Sequence, residues 1–63
     1  MEHIVTLHAE LPAHEAWALA QLLKRIGFGD CRALAEDEAQ AYCMLHAAER
    51  VRSALAEAGC APR

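Results

Sequence analysis

Apolar positions recur along this chain with two different periods, and the change of period divides it. Residues 2–8, EHIVTLH, place Ile4, Val5, Thr6 and Leu7 in a short β-branched run that ends before Pro12. That composition and length predict a strand. A lone strand leaves its backbone donors and acceptors unpaired, so it needs a second strand from this chain, from another copy or from a partner.

From Pro12 the spacing becomes helical. Proline suits the first helical turn and pushes Leu11 out of helical conformation, while Gly27 supplies a stop. Between them Ala16, Leu19, Ala20, Leu23 and Ile26 form one apolar stripe, with His14, Gln21 and Arg25 opposite and Trp17 and Lys24 at its flanks. Residues 28–35, FGDCRALA, predict a turn and then a short helical segment capped by Asp30 that carries Leu34 inward.

Asp37, three residues before Gln40, is a variant of the capping box and opens a long helix running to Ala58. Its apolar face holds Ala41, Met44, Leu45, Ala48, Val51, Leu55 and Ala58; Cys43, His46, Arg50, Ser53 and Glu57 point away. Gly59 closes it through a left-handed cap, and Pro62 cannot continue it. An alternative stays open at this level, in which residues 39–45 form a second strand paired with the first. The expected class is therefore α+β and mostly helical: a short N-terminal strand, a helix, a short helical turn and a long C-terminal helix, in a single small domain over residues 1–63.

Composition narrows the reading. The chain has 63 residues and is 56 % hydrophobic, but 15 of its residues are Ala, leaving 20 larger apolar side chains that include three Cys. A chain this short buries only about 60 % of its unfolded surface, so a deep enclosed pocket is not expected. Stability must lean on helix propensity and close helix packing, and a second copy or a partner would help. Six Lys and Arg against nine Asp and Glu give a net charge of −3. That balance lacks the basic surface of a nucleic-acid binder, so no direct nucleic-acid contact is expected.

Cys31, Cys43 and Cys60 fit neither a disulfide framework nor the paired spacing of a zinc site, and read as reduced thiols. No basic start followed by an apolar run opens the chain, and no stretch approaches the length of a membrane span. A cytoplasmic protein, inside a bacterial host cell, is the expectation.

The residues that could carry chemistry do not assemble into a site. His8 and His14 lie near Glu10 and Glu15, but a helical HExxH pair starting at His14 would need a second His where Ala18 stands. Cys43 and His46 are close on one helical face, without an orienting third group or an oxyanion hole. Neither catalysis nor a metal nor a cofactor is expected. The acidic run Glu36, Asp37 and Glu38 suits the start of a helix through its dipole and equally suits contact with a basic partner. Trp17 and Tyr42 each fall off the core stripe of a helix, where an aromatic ring can fill the core or anchor an interface.

Two blocks carry a resemblance. ELPAHEAWALAQLLKRIGF, residues 10–28, and ALAEAGCAPR, residues 54–63, resemble a family of short uncharacterised proteins from phages, prophages and integrative elements of proteobacteria. The chain departs from that pattern in having Cys31 and Cys60 where an aromatic residue is more usual. The resemblance implies stoichiometric binding to a host or phage machine, and more narrowly an anti-CRISPR inhibitor that blocks target DNA recruitment by a type I surveillance complex. The partner-binding residues so implied are Glu10, Glu15, Trp17, Glu36, Asp37, Glu38 and Tyr42. A structural or regulatory homodimer without a CRISPR role is the alternative.

Overall fold

A computed structural model describes residues 2–62. Three helices follow one another, α1 over Ala13–Arg25, α2 over Phe28–Leu34 and α3 over Glu38–Glu57. Both α1 and α2 pack against α3. The fold is all-helical among the described residues, which corrects the α+β class expected from sequence. The expected strand at residues 2–8 is irregular chain that belongs to no ladder. A strand exists only when another pairs with it, and residues 39–45, the one alternative within the chain, lie inside α3. Local β-propensity is a weak prior that such a missing partner overrides.

The helix starts follow the local chemistry. Pro12 sits at the N-cap of α1 with φ −56° and ψ 148°, and its carbonyl accepts from the N–H groups of Glu15 and Ala16, both at 3.0 Å. At the far end Ile26 leaves the helix in extended conformation, with φ −66° and ψ 133°. Gly27 is also extended and serves as the N-cap of α2. The stop expected at Gly27 thus lies one residue earlier, and the glycine belongs to the next helix.

Asp30 does not cap α2 from outside, as expected. It occupies the third helical position, and its Oδ2 accepts from the N–H of Gly27 at 2.9 Å. This is the reach-back half of a capping box, which needs no side chain at the N-cap itself. With α2 starting at Phe28, the inward position falls on Cys31, and Leu34, expected inside, is 76 % exposed.

At the start of α3 Asp37 caps the helix as expected, while the Gln40 side chain reaches back one residue beyond the N-cap, so the box is not closed on Asp37 itself. Asp37 Oδ1 accepts from the N–H of Gln40 at 2.8 Å, and Gln40 Oε1 accepts from the N–H of Glu36 at 2.7 Å. The other end closes on Gly59 at φ 99°, with its N–H bonded to the Ala56 carbonyl and the Cys60 N–H to that of Leu55. These two bonds are the Schellman pattern, and the left-handed residue that closes it is a glycine, as expected.

The core is thin. Ala20 from α1, Cys31 from α2 and Ala41 from α3 are the buried residues, and Ala16, Leu19, Leu23, Ile26, Met44, Leu45, Ala48 and Leu55 are half-buried around them. Two alanines at 0 % exposure show why these helices come close: each presents only a methyl group at the contact. Val51 and Ala58, expected on the inner face of α3, are exposed; Val51 sits at the margin at 36 %, and Ala58 is the C-cap just past the last helical residue. The Cα radius of gyration is 12.7 Å, against about 10.6 Å for a compact globule of this length.

Candidate interaction surface

The side chains singled out from sequence are spread over three parts of the molecule. Glu10 is exposed in the irregular arm ahead of α1, and Glu15 in the first turn of α1 lies 3.8 Å from His14 Nε2. Glu36 and Asp37 occupy the bend between α2 and α3, and Glu38 opens α3. Asp37 is engaged as the N-cap, and Glu36 through its backbone N–H, so part of this acidic run has a structural task. Its charge also complements the positive end of the α3 dipole.

Trp17 and Tyr42 are 46 % and 47 % exposed, which places each ring half on the body and half in solvent. They do not form a pair. Tyr42 instead stacks on Phe28, with ring centroids 4.7 Å apart and planes tilted by 36°, and lies 6.4 Å from the His46 ring. The row Phe28, Tyr42, His46 crosses from α2 onto α3 and is the one constellation that sequence reading missed. Half of it was visible, because Tyr42 and His46 are one helical turn apart, but the contribution of Phe28 depends on how α2 docks.

His46 had been coupled in sequence to Cys43. In the fold both are exposed on α3, and His46 borders a shallow groove with Glu49, Arg50 and Ser53. A second groove is lined by Glu49, Arg52, Ser53 and Ala56. Each is bounded by side chains of α3 alone, so neither offers opposing walls that could enclose a small ligand. Among the described residues no three His, Cys, Asp or Glu side chains stand together as a metal-binding group. The three cysteines are free, with Cys31 buried, Cys60 half-buried and Cys43 exposed.

Several large apolar side chains lie on the surface. Ile4, Val5, Leu7, Leu11, Trp17, Leu22, Leu34, Tyr42 and Val51 are all exposed. Leu22 and Leu34 break the binary pattern of their helices, and no intramolecular partner covers them. Among the described residues no helix is long and apolar enough to cross a membrane, so these side chains do not form a spanning segment.

No curated protein and no solved structure matches the chain. A family match does extend along all of it, including Arg63, the last residue of the second resemblance block, which lies outside the described residues. Over residues 1–63 the chain matches the family of unknown function DUF7706, and it belongs to that family.

Proposed function

We propose that this protein acts by stoichiometric binding to another protein rather than by catalysis. One observation carries the reading: nine large apolar side chains are exposed, among them the half-seated rings of Trp17 and Tyr42, while the buried residues are Ala20, Cys31 and Ala41. A chain that leaves its larger apolar groups in solvent and encloses little has its free energy of burial available for a partner. Half-covered aromatic rings are efficient anchors, because their orientation is already fixed by the body they rest on.

The narrower reading is a mobile-element protein that binds a type I CRISPR surveillance complex and blocks its recruitment of target DNA. Its support is the resemblance of residues 10–28 and 54–63 to short proteins of phages and integrative elements, together with the net charge of −3. Glu10, Glu15, Glu36 and Glu38 would oppose Lys and Arg that otherwise hold DNA phosphate.

Two experiments separate the levels. Affinity capture from a bacterial lysate with wild type and with Trp17→Ala/Tyr42→Ala tests the binding reading. It expects one stoichiometric protein that the double variant loses; capture of nothing, or equal capture by a folded double variant, overturns it. A plasmid-interference assay across type I subtypes tests the narrower reading, and unaltered CRISPR immunity in all of them sinks it.

A further inference from the structure

The arm ahead of α1 has strand composition without strand pairing. Ile4, Val5 and Leu7 are 90 %, 77 % and 77 % exposed, and the hydrogen bonds among the described residues include none to the backbone of residues 2–11. The remaining described chain is helical apart from short connections, so it offers no second strand. A pairing strand would have to come from another molecule.

The arm is complementary to itself. Two copies paired antiparallel about a two-fold axis perpendicular to the ribbon place facing residues on the same side, so a residue can face itself or one an even number of positions away. Pivoting on Val5 sets Val5 opposite Val5, Ile4 opposite Thr6, His3 opposite Leu7, and Glu2 opposite His8 at both ends. β-Branched pairs then occupy the centre, and a carboxylate faces an imidazole at each edge. Pivoting on Thr6 instead sets Glu2 opposite Glu10 twice and Ile4 opposite His8. Pivoting on Ile4 shortens the ladder and sets Val5 opposite His3. Charge and packing favour the Val5 register.

The surface area is large enough for such an occupant. The chain exposes 5369 Å², whereas a folded monomer of 6.9 kDa is expected to expose about 4,000 Å². The excess of roughly 1,400 Å² per chain exceeds the about 800 Å² per partner of a standard interface and falls in the range of permanent dimers. We infer that residues 2–8 of two copies pair antiparallel about Val5, forming a two-stranded ribbon that makes the protein a two-fold dimer. An isolated two-stranded ribbon is marginal in water, so the dimer must also cover apolar surface beyond the ribbon, and the exposed Leu11, Leu22 and Leu34 are available for that. This dimer stands independently of the binding reading above, since its tests measure self-association of the purified chain alone.

Sedimentation equilibrium of the full chain in the micromolar range is expected to give twice the 6.9 kDa chain mass; a monomer overturns the proposal. Val5→Lys sets two ammonium groups face to face at the axis and is expected to return the mass to one chain with helical circular dichroism retained. A Val5→Lys variant that remains dimeric refutes the arm as the interface. A cysteine scan keeps the test sound if that variant misfolds. In a Cys43→Ser/Cys60→Ser background, Val5→Cys is expected to cross-link to a covalent dimer under mild oxidation, well ahead of Ile4→Cys and Thr6→Cys. Preferential cross-linking through Thr6→Cys, or no preference among the three, overturns the register.

Discussion

The ring of Phe28, the first residue of α2, stacks on the ring of Tyr42 in α3 at a centroid distance of 4.7 Å. This contact and the burial of Cys31 are what hold a seven-residue helix that would not persist alone. Tyr42→Ala is expected to cost about 1–2 kcal/mol, combining the aromatic pair with the buried half of the ring. Tyr42→Phe keeps the stack and should stay within about 0.5 kcal/mol of wild type. Urea unfolding followed by circular dichroism measures both, and an unchanged midpoint for Tyr42→Ala would mean that the stack contributes nothing.

The closest helix contacts rest on alanine. Ala20 and Ala41 are fully buried, so a longer side chain at either site has to be accommodated inside the helix packing. Ala20→Leu and Ala41→Leu are expected to destabilise by about 1–3 kcal/mol through overpacking, although each adds apolar volume. For a domain of this size each kcal/mol lowers Tm by about 4–8 °C. A thermal melt that rises for either variant would show that the core has room and that the description of it as close-packed is wrong.

Helices were legible in this sequence because their signals are local. The caps at Asp37 and Gly59 and the stripe of Leu19, Ala20 and Leu23 each lie within a turn or two of the residues they organise. The strand at residues 2–8 failed for the opposite reason: pairing is a non-local event, and the sequence of one chain does not contain its mate. Leu34 was misplaced because it is the last residue of α2, and that helix seats Cys31 rather than its end, a choice set by docking and not by local spacing. The candidate site residues were legible only as types. Trp17 and Tyr42 are half-exposed, as their places off the core stripes imply, but their separation and the place of Phe28 beside Tyr42 follow from how the helices dock on α3.

Capping and partner contact at the acidic run are separable by one atom. Asp37→Ala removes the acceptor for the Gln40 N–H and is expected to cost about 1 kcal/mol. Asp37→Asn keeps an acceptor of the same shape while removing the charge, and should lie within about 0.5 kcal/mol of wild type in chemical denaturation. If the charge of Asp37 serves a basic partner, Asp37→Asn weakens capture of that partner while leaving stability intact. Equal stability loss in both variants would refute the cap assignment.

The three free thiols should report the layering of the molecule directly. Cys43 is exposed on α3, Cys60 is half-buried beyond Gly59, and Cys31 is 2 % exposed on the buried side of α2. Reaction with an aromatic disulfide reagent needs the thiolate to reach solvent, so accessibility orders the sites as Cys43, then Cys60, then Cys31. In native buffer Cys43 is expected to react in the fast phase, and Cys31 only at the rate at which α2 opens, with all three equivalent in denaturant. Because Phe28 anchors α2 through Tyr42, Tyr42→Ala should accelerate the Cys31 phase without altering that of Cys43. If Cys31 reacts as fast as Cys43 in the wild-type protein, α2 is not seated on α3, and the stacked pair does not secure it.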